Sequence, residues 1–118
     1  MDRDTKKVED LSYWAEEKKA EDIVAVDVSN KSSFTDYFII CSGKGSMHTK
    51  AIAKNIMEQA KPNKYRLLGK EGIDNGKWIL LDYDDVVIHI FDAPVRNYYK
   101  LEELWSKQPN REAEEKKL

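Results

Sequence analysis

Apolar residues recur at helical spacing in two stretches of the chain. In residues 5–20 and again in residues 47–61, apolar side chains fall on one side of a helix and Glu and Lys on the other, because residues three and four apart share a face. The apolar faces consist of Val8, Leu11, Trp14 and Ala15 in the first stretch and of Met47, Ile52, Ile56 and Ala60 in the second. The sequence therefore predicts two amphipathic helices, the second ended by Pro62 and Asn63 and preceded by a good N-cap at Ser46.

Five short apolar runs predict β-strands. They are bounded by clusters of Ser, Asn, Gly, Pro or Asp that are typical of turns. The runs cover residues 23–28, 34–41, 65–68, 77–82 and 86–91. A strand–helix–strand unit followed by a terminal hairpin predicts an α/β fold, in which a mixed sheet of about five strands is flanked by helices.

The chain changes character after the last strand. Residues 96–105 place Tyr98, Leu101, Leu104 and Trp105 at helical spacing and predict a further helix. Residues 108–118 are dominated by charge and predict a disordered C-terminal tail. One folded domain is therefore expected over residues 1–107.

The last two strands predict a hairpin with two unlike faces. If residues 84 and 85 form a two-residue turn, one face is almost purely aliphatic and is expected in the core. It pairs Tyr83 with Val86, Leu81 with Ile88 and Ile79 with Ile90. The opposite face pairs Trp78 with Phe91, Leu80 with His89 and Asp82 with Val87. This mixture of aromatic, apolar and ionisable groups is more typical of a protein interface than of a core.

Length, apolar runs and cysteine content indicate the number of domains and the cellular compartment. A chain of 118 residues can bury one core and is too short for two. Its apolar runs are far shorter than the roughly 20 residues that cross a bilayer, and its charged N-terminus lacks a secretory signal. The single cysteine, Cys41, cannot form an internal disulfide. We expect a cytoplasmic protein without a membrane segment.

Charge is distributed unevenly along the chain, although the net charge is only −2. Residues 44–70 carry seven Lys and Arg against one Glu, whereas residues 71–92 carry six Asp and Glu against one Lys. Such neighbouring segments either attract each other or present separate patches to a partner built from protein and RNA. Ordinary solvated faces are the simpler alternative.

Two motifs raise the question of nucleotide chemistry. Residues 43–46 join a strand to a helix, where backbone amides can cradle a phosphate, but they match neither a dinucleotide fingerprint nor a Walker loop. A tight turn is favoured. Asp82 and Asp84 stand at a strand end as magnesium ligands would, and a Mg-dependent nucleotidyltransferase-like enzyme is the alternative function. Asp is also common in tight turns for its local hydrogen bonds.

Cys41 and the two histidines, His48 and His89, complete the candidate chemistry. Cys41 with His48 would supply a nucleophile and a base, but a small buried cysteine is the default. His89 alternates with aliphatic residues, so a structural role and an interface role both stay open. The basic side of residues 47–61 permits contact with RNA phosphates but lacks the interleaved aromatics of a base-reading surface.

Several segments together resemble the ribosomal silencing factor (Iojap) family. The clearest are TDYFIICSG at residues 35–43, WILLDY at 78–83, DVVIHIF at 85–91 and LEELW at 101–105. Further support comes from residues 19–23, 27–29, 51–53, 71–72, Gly76, Arg96 and residues 98–99. The resemblance is collinear over roughly residues 8–106. It departs from the family at Asp84, where glycine is usual, and in residues 43–46, which hold an extra glycine.

The resemblance implies a sheet and helices shaped like a nucleotidyltransferase without its chemistry, so no catalytic residue, metal or cofactor is expected. It implies binding to ribosomal protein fourteen on the face of the large ribosomal subunit that the small subunit joins. Such binding would block subunit joining and repress translation when nutrients are scarce. Family members are also linked to assembly of the large subunit.

We expect the partner-binding residues on and beside the hairpin, because its acidic charge and aromatic anchors complement a basic ribosomal protein. The predicted set is Glu71, Trp78, Leu80, Asp82, Asp84, His89 and Phe91. Non-specific contact with the rRNA backbone, and a homodimer of the free protein, both stay open.

Overall fold

The computed structural model describes residues 3–30 and 32–94. The predicted helix at 96–105 and the predicted tail at 108–118 lie outside the described residues. Within the described part of the chain, no helix is long and apolar enough to cross a membrane.

Two helices and five strands make up the described fold. Their order is α1 (Arg3–Glu17), β1 (Glu21–Asp27), β2 (Tyr37–Gly43), α2 (Ser46–Ala60), β3 (Gly69–Glu71), β4 (Trp78–Asp82) and β5 (Val86–Asp92). The strands form one sheet in the order β1-β2-β5-β4-β3. β2 and β5 are parallel, and the other neighbours are antiparallel. This mixed sheet confirms the predicted α/β fold class.

The main core lies between the two helices and one face of the sheet. Because side chains alternate along a strand, each central strand contributes every second residue to this face. The buried side chains come from α1 (Val8, Leu11, Trp14, Ala15), α2 (Ile52, Ala53, Ile56, Ala60), β2 (Ile39, Cys41), β4 (Ile79, Leu81) and β5 (Val86, Ile88, Ile90), with Tyr83 following β4. The apolar faces predicted for both helices therefore do pack inward, except that Met47 is exposed.

A second apolar cluster covers the other face of the sheet. It consists of Val26, Val28, Phe38, Ile40 and Phe91, with Val24, Trp78 and Val87 packed against it. Among the described residues, these side chains come only from strands and from the residue just after β1. The sheet is thus apolar on both faces, as expected for strands that are central to an α/β fold.

The third strand is the clearest error of the sequence prediction. It was expected at residues 65–68, but β3 is Gly69–Glu71. Lys64 has a φ of +67° and turns the chain back from α2. Tyr65 and Leu67 then pack against the main core, so their side chains, and not a backbone ladder, hold this segment. Pairing to β4 begins only at Leu68, whose N–H donates to the Asp82 carbonyl over 2.7 Å.

Two other expectations also differ from the structure. The second strand begins at Tyr37 and not at residue 34, because the Asp36 and Tyr37 amides both donate to the Asp85 carbonyl and tie this approach to the hairpin. Phe34 is left outside the sheet and is 82% exposed. At α2 the N-cap is Gly45 and not Ser46, and no side chain caps the helix.

The hairpin turn is the two-residue turn at residues 84 and 85 that the sequence predicts. The Tyr83 amide donates to the Val86 carbonyl over 2.9 Å, so residues 84 and 85 form the connection. Asp84 has a φ of +79°, a value that favours glycine. This explains why a glycine would be usual at the position. Asp tolerates it better than most residues, and the Asp84 amide donates to Asp82 Oδ1 over 2.9 Å.

Candidate partner-binding surface

The β4–β5 register places six of the seven predicted partner-binding residues on one face of the sheet. Trp78 pairs with Phe91, Leu80 with His89 and Asp82 with Val87. Glu71 of β3 pairs with Leu80, which brings its side chain to the same face. Asp84 lies at the tip of the hairpin. The face is opposite to the one that the helices cover.

The seven residues differ in their accessibility. Glu71 and Asp84 are exposed, and Trp78, Leu80 and Asp82 are half-buried. Phe91 is fully buried and His89 is only 6% exposed. The first five are therefore available to a partner, whereas His89 and Phe91 form the layer beneath them. We call the half-buried and exposed residues of this sheet face, Glu71, Trp78, Leu80 and Asp82, the docking strip.

An aromatic cluster holds Trp78 in place. Its ring centroid lies 4.8 Å from that of Phe91, and its indole N–H donates to His89 Nδ1 over 3.0 Å. The His89 ring in turn meets Phe38 edge to face, with centroids 4.8 Å apart. Aromatic pairs at these separations attract each other through their quadrupoles as well as by burial. Trp78 is thus a fixed anchor, and Phe38 is a supporting residue that the sequence prediction missed.

His89 is neutral in this environment. Since Nδ1 accepts the Trp78 hydrogen bond, the proton of the neutral ring resides on Nε2. Nε2 has no hydrogen-bond partner in the described part of the chain. Burial lowers the pKa of His89 to about 4, because the charged imidazolium would lose its hydration. His89 is a structural histidine that orients Trp78, rather than a group that titrates near neutral pH.

A close backbone approach also positions Trp78. Gly72 has a φ of +79°, and a Cβ built on it would lie 2.1 Å from the Trp78 carbonyl oxygen. Only glycine fits such a position. Together with Glu71, Trp78 and Leu80 it lines a shallow cavity of about 300 Å³. The sequence shows Gly72 as one glycine among several, and nothing in the pattern marks it as part of the strip.

Part of the basic segment and part of the acidic segment lie on opposite sides of the sheet. The basic residues of α2, such as Lys54, belong to the helix layer, whereas Glu71 and Asp82 lie on the other face of the sheet. The ion pairs seen in the described residues do not join the two segments. Mutual attraction through ion pairs is therefore not seen in the described residues, whereas separate patches and ordinary solvated faces both agree with the structure.

Lys7 of α1 binds one of the two aspartates of the hairpin turn, Asp85, and leaves the other, Asp84, free for a partner. Its Nζ donates to Asp85 Oδ1 over 2.7 Å and to the Tyr83 carbonyl over 2.6 Å, and its side chain is largely buried. Asp85 therefore binds α1, while Asp84 stays exposed. Phe34, 82% exposed, lines a small cavity together with Asp84 and is a further candidate contact that the sequence prediction did not include.

The alternative function, a Mg-dependent nucleotidyltransferase-like enzyme, is not supported by a metal site among the described residues. Within residues 3–30 and 32–94, no group of three or more His, Cys, Asp or Glu side chains is placed to hold a metal ion. Asp82 Oδ1 already accepts the Asp84 amide. At the phosphate-like loop, the Gly45 amide donates to Asp92 Oδ1 over 3.2 Å and the Lys44 amide donates to His48 Nδ1 over 2.8 Å. The two loop amides thus already donate hydrogen bonds to side chains of this protein and are not free for a phosphate.

Cys41 and His48 do not form a nucleophile–base pair. Cys41 is buried in the main core, as the default interpretation predicts. His48 accepts the Lys44 amide through Nδ1, and its Nε2 lies 2.7 Å from the Lys18 carbonyl. Both ring nitrogens are therefore engaged in linking the start of α2 to the end of α1.

Comparison with known proteins gives one consistent family. A family model described as "Ribosomal silencing factor during starvation" matches residues 2–118. A ribosomal silencing factor of Bacillus subtilis is 43% identical over 94 residues, which is 80% of each chain. A crystal structure of a Chromobacterium violaceum protein superposes with a TM-score of 0.81 at 31% identity, covering 89% of each chain. A more distant mouse relative, named "Mitochondrial assembly of ribosomal large subunit protein 1", is 32% identical over 76% of this chain and 41% of its own length.

Gly72→Ala tests the close approach beside Trp78. We expect the free energy of unfolding to fall by at least about 2 kcal/mol, since the methyl group meets the Trp78 carbonyl and the positive φ is strained. Gly69→Ala is the matched control in the neighbouring strand, because a Cβ there meets nothing within 4 Å and its φ is ordinary. Urea unfolding of both variants measures the difference. Equal losses would contradict the assigned role of Gly72.

The lowered pKa of His89 leads us to predict that the free energy of unfolding falls in acid. Because its pKa is lower in the folded than in the unfolded chain, the unfolded state takes up the proton first, and stability falls as pH drops below about 6.5. We expect up to about 2 kcal/mol of loss between pH 7 and pH 5 from this group. His89→Asn keeps a side-chain acceptor for Trp78 without titrating. Urea midpoints across this range should fall less in the variant, and equal pH dependence would refute the prediction.

Proposed function

Since the chain belongs to the ribosomal silencing factor family, we propose that it binds the large ribosomal subunit through ribosomal protein fourteen and blocks joining of the small subunit. Translation is repressed by the bound protein as an obstacle, and no chemical reaction is involved. The family membership supports a ribosomal partner, and the name of the mouse relative points to the large subunit. The particular ribosomal protein and the blocked step are what the proposal adds.

The docking strip is the observation that carries the proposal. It places the half-buried side chains of Trp78, Leu80 and Asp82 in a row along β4, with Glu71 of β3 beside Leu80, on one open sheet face. Tryptophan is one of the residues enriched in interface hot spots, where less critical neighbours surround it. The acidic border suits a ribosomal protein, since most of these are basic. Charge would guide the encounter, and the apolar centre would supply most of the affinity.

The predicted partner-binding residues take different roles in this proposal. Glu71, Trp78, Leu80, Asp82 and Asp84 contact the partner. His89 and Phe91 lie beneath Trp78 and act by holding its ring, since neither side chain reaches the surface. Because the anchor is ordered before binding, little rotamer entropy is lost when the partner docks.

Blocking subunit joining is then an equilibrium effect. The protein binds one state, the free large subunit, and its mass action withdraws that subunit from the joining equilibrium. No nucleotide needs to be consumed, and release follows when the protein is diluted or displaced. The cytoplasm, where the subunits meet, is the proposed site of action.

The neighbouring residues Leu80 and Leu81 provide a sharp test, because they lie on opposite faces of β4. Leu80→Ala should weaken large-subunit binding by about 1 kcal/mol or more and raise the concentration needed to inhibit subunit joining. Leu81→Ala, in the main core, should instead lower the free energy of unfolding by about 2 to 5 kcal/mol. Sucrose-gradient profiles of purified subunits measure joining, and urea unfolding measures stability.

The parent protein serves as the reference in that experiment, with nucleotide omitted. Undiminished joining at saturating parent protein would overturn the proposed function. If Leu80→Ala binds and inhibits like the parent while Leu81→Ala alone is impaired, the function would stand and the docking strip would be wrong.

The acidic border predicts a change in the rate of association. Neutralising Glu71, Asp82 and Asp84 together, to Gln, Asn and Asn, should slow binding to large subunits at low salt and flatten its salt dependence. The matched control neutralises three exposed helix carboxylates, Glu9, Glu16 and Glu58, to Gln. Both triple variants change the net charge equally, so only position differs. Stopped-flow association measured at two salt concentrations separates them, and equal effects would argue against an acidic docking patch.

A further inference from the structure

A second cavity opens on the helix side of the molecule, away from the docking strip. Its volume is about 470 Å³, within the range of small-molecule sites. Its walls are apolar and aromatic side chains: Met57 of α2, Tyr65 and Leu67 of the segment after α2, and Tyr83 after β4. Three cations, Lys61, Lys64 and Arg66, line it as well.

The fold holds these walls in place without a ligand. Lys64 adopts a φ of +67°, and the Tyr65 amide donates to the Ala60 carbonyl over 3.1 Å, which ends α2 and turns the chain across it. The Tyr65 hydroxyl donates to Asp10 Oδ2 over 2.7 Å, and its ring lies 6.0 Å from that of Trp14. The cavity wall is therefore anchored to α1 as well as to α2.

Tyr83 leaves a polar group unused in this cavity. Tyr83 as a whole is 1% exposed. Its hydroxyl has no hydrogen-bond partner in the described part of the chain. Burial raises the pKa of Tyr83 to about 12, so the hydroxyl keeps its proton and remains a donor. Since Tyr83 lines the cavity, a ligand with an acceptor oxygen gains a hydrogen bond that the described residues do not supply.

The three cations add a second, independent feature. Lys61, Lys64 and Arg66 are exposed, and within the described residues none of them forms an ion pair. Three positive charges beside an apolar cavity favour a ligand that has an apolar body and a negative group. A purely apolar ligand would leave the charges without a partner, and a hydrophilic anion such as a phosphate would not use the walls.

We propose that this cavity binds a small amphiphilic carboxylate, whose aliphatic or aromatic body packs among Met57, Leu67 and the two tyrosines. The carboxylate is held by the cations and by the hydroxyl donor of Tyr83. The site is separate from the docking strip, since Tyr83 belongs to the helix-covered core and Trp78 to the opposite face. Binding therefore does not depend on the proposed ribosomal function.

Decanoate, below its micelle concentration, is the probe for this site. Titration followed by amide and methyl NMR should shift signals of Met57, Leu67 and their neighbours with a single saturable affinity. Decanol, of similar apolar length but uncharged, should bind at least tenfold more weakly, and decyltrimethylammonium should not shift these signals. Equal binding of the three probes, or shifts spread over the whole surface, would show unspecific adsorption and overturn the proposal.

Two sets of variants test whether the three cations and the Tyr83 hydroxyl bind the carboxylate of the ligand. Neutralising Lys61, Lys64 and Arg66 together to Gln should weaken decanoate at least tenfold, whereas the matched triple change at Lys44, Lys50 and Lys54 should leave it within twofold. Tyr83→Phe keeps the ring and should weaken decanoate severalfold while leaving decanol unchanged. Undiminished decanoate binding by the first triple variant would refute the site. The NMR spectrum of each variant shows directly whether it is folded.

Discussion

The register of the β4–β5 hairpin is the constraint on which the rest of the structure depends. Side chains alternate across a sheet, so a shift of one residue would exchange every core residue for a surface residue. The two-residue connection at 84–85 prevents that shift, and Lys7 secures it from α1 by binding the Tyr83 carbonyl and Asp85. The helices consequently pack on Leu81 and its partners, and Trp78 faces away from them.

Much of this arrangement could be predicted because it depends on local alternation. The hairpin pairs, both helices and the α/β class follow from periods of two and of 3.6 residues. The third strand could not be placed in this way. Tyr65 and Leu67 are apolar because they fill the core beside α2, and a run of apolar residues does not distinguish that use from a strand. Gly69–Glu71, which does pair, is short, exposed and without any apolar signal.

The site could be predicted in part, for a related physical reason. Pairing assigns Trp78, Leu80, His89 and Phe91 to one face, but it does not tell how deeply each is buried. Exposure depends on neighbours distant in sequence, such as Phe38, whose ring packs against His89. The role of Gly72 was equally hidden, because a backbone approach to Trp78 leaves no trace in hydrophobic periodicity. The charge separation was visible in sequence, but only the sheet shows that the basic residues of α2 and the docking strip lie on opposite sides.

Rigidity connects these features to a binding role. A docking anchor has to present its ring in one orientation, and here the Trp78 indole is fixed by a tilted ring contact with Phe91 and by a hydrogen bond to a histidine that stays neutral. A charged His89 would lose the acceptor at Nδ1 and release the indole, so low pH would loosen the anchor and the fold together. The burial that depresses the pKa of His89 thus keeps the acceptor for the Trp78 indole at mildly acid pH as well. A ring that is already ordered before it meets a partner loses little rotamer entropy on docking, and this is the physical advantage of an anchor held by buried neighbours.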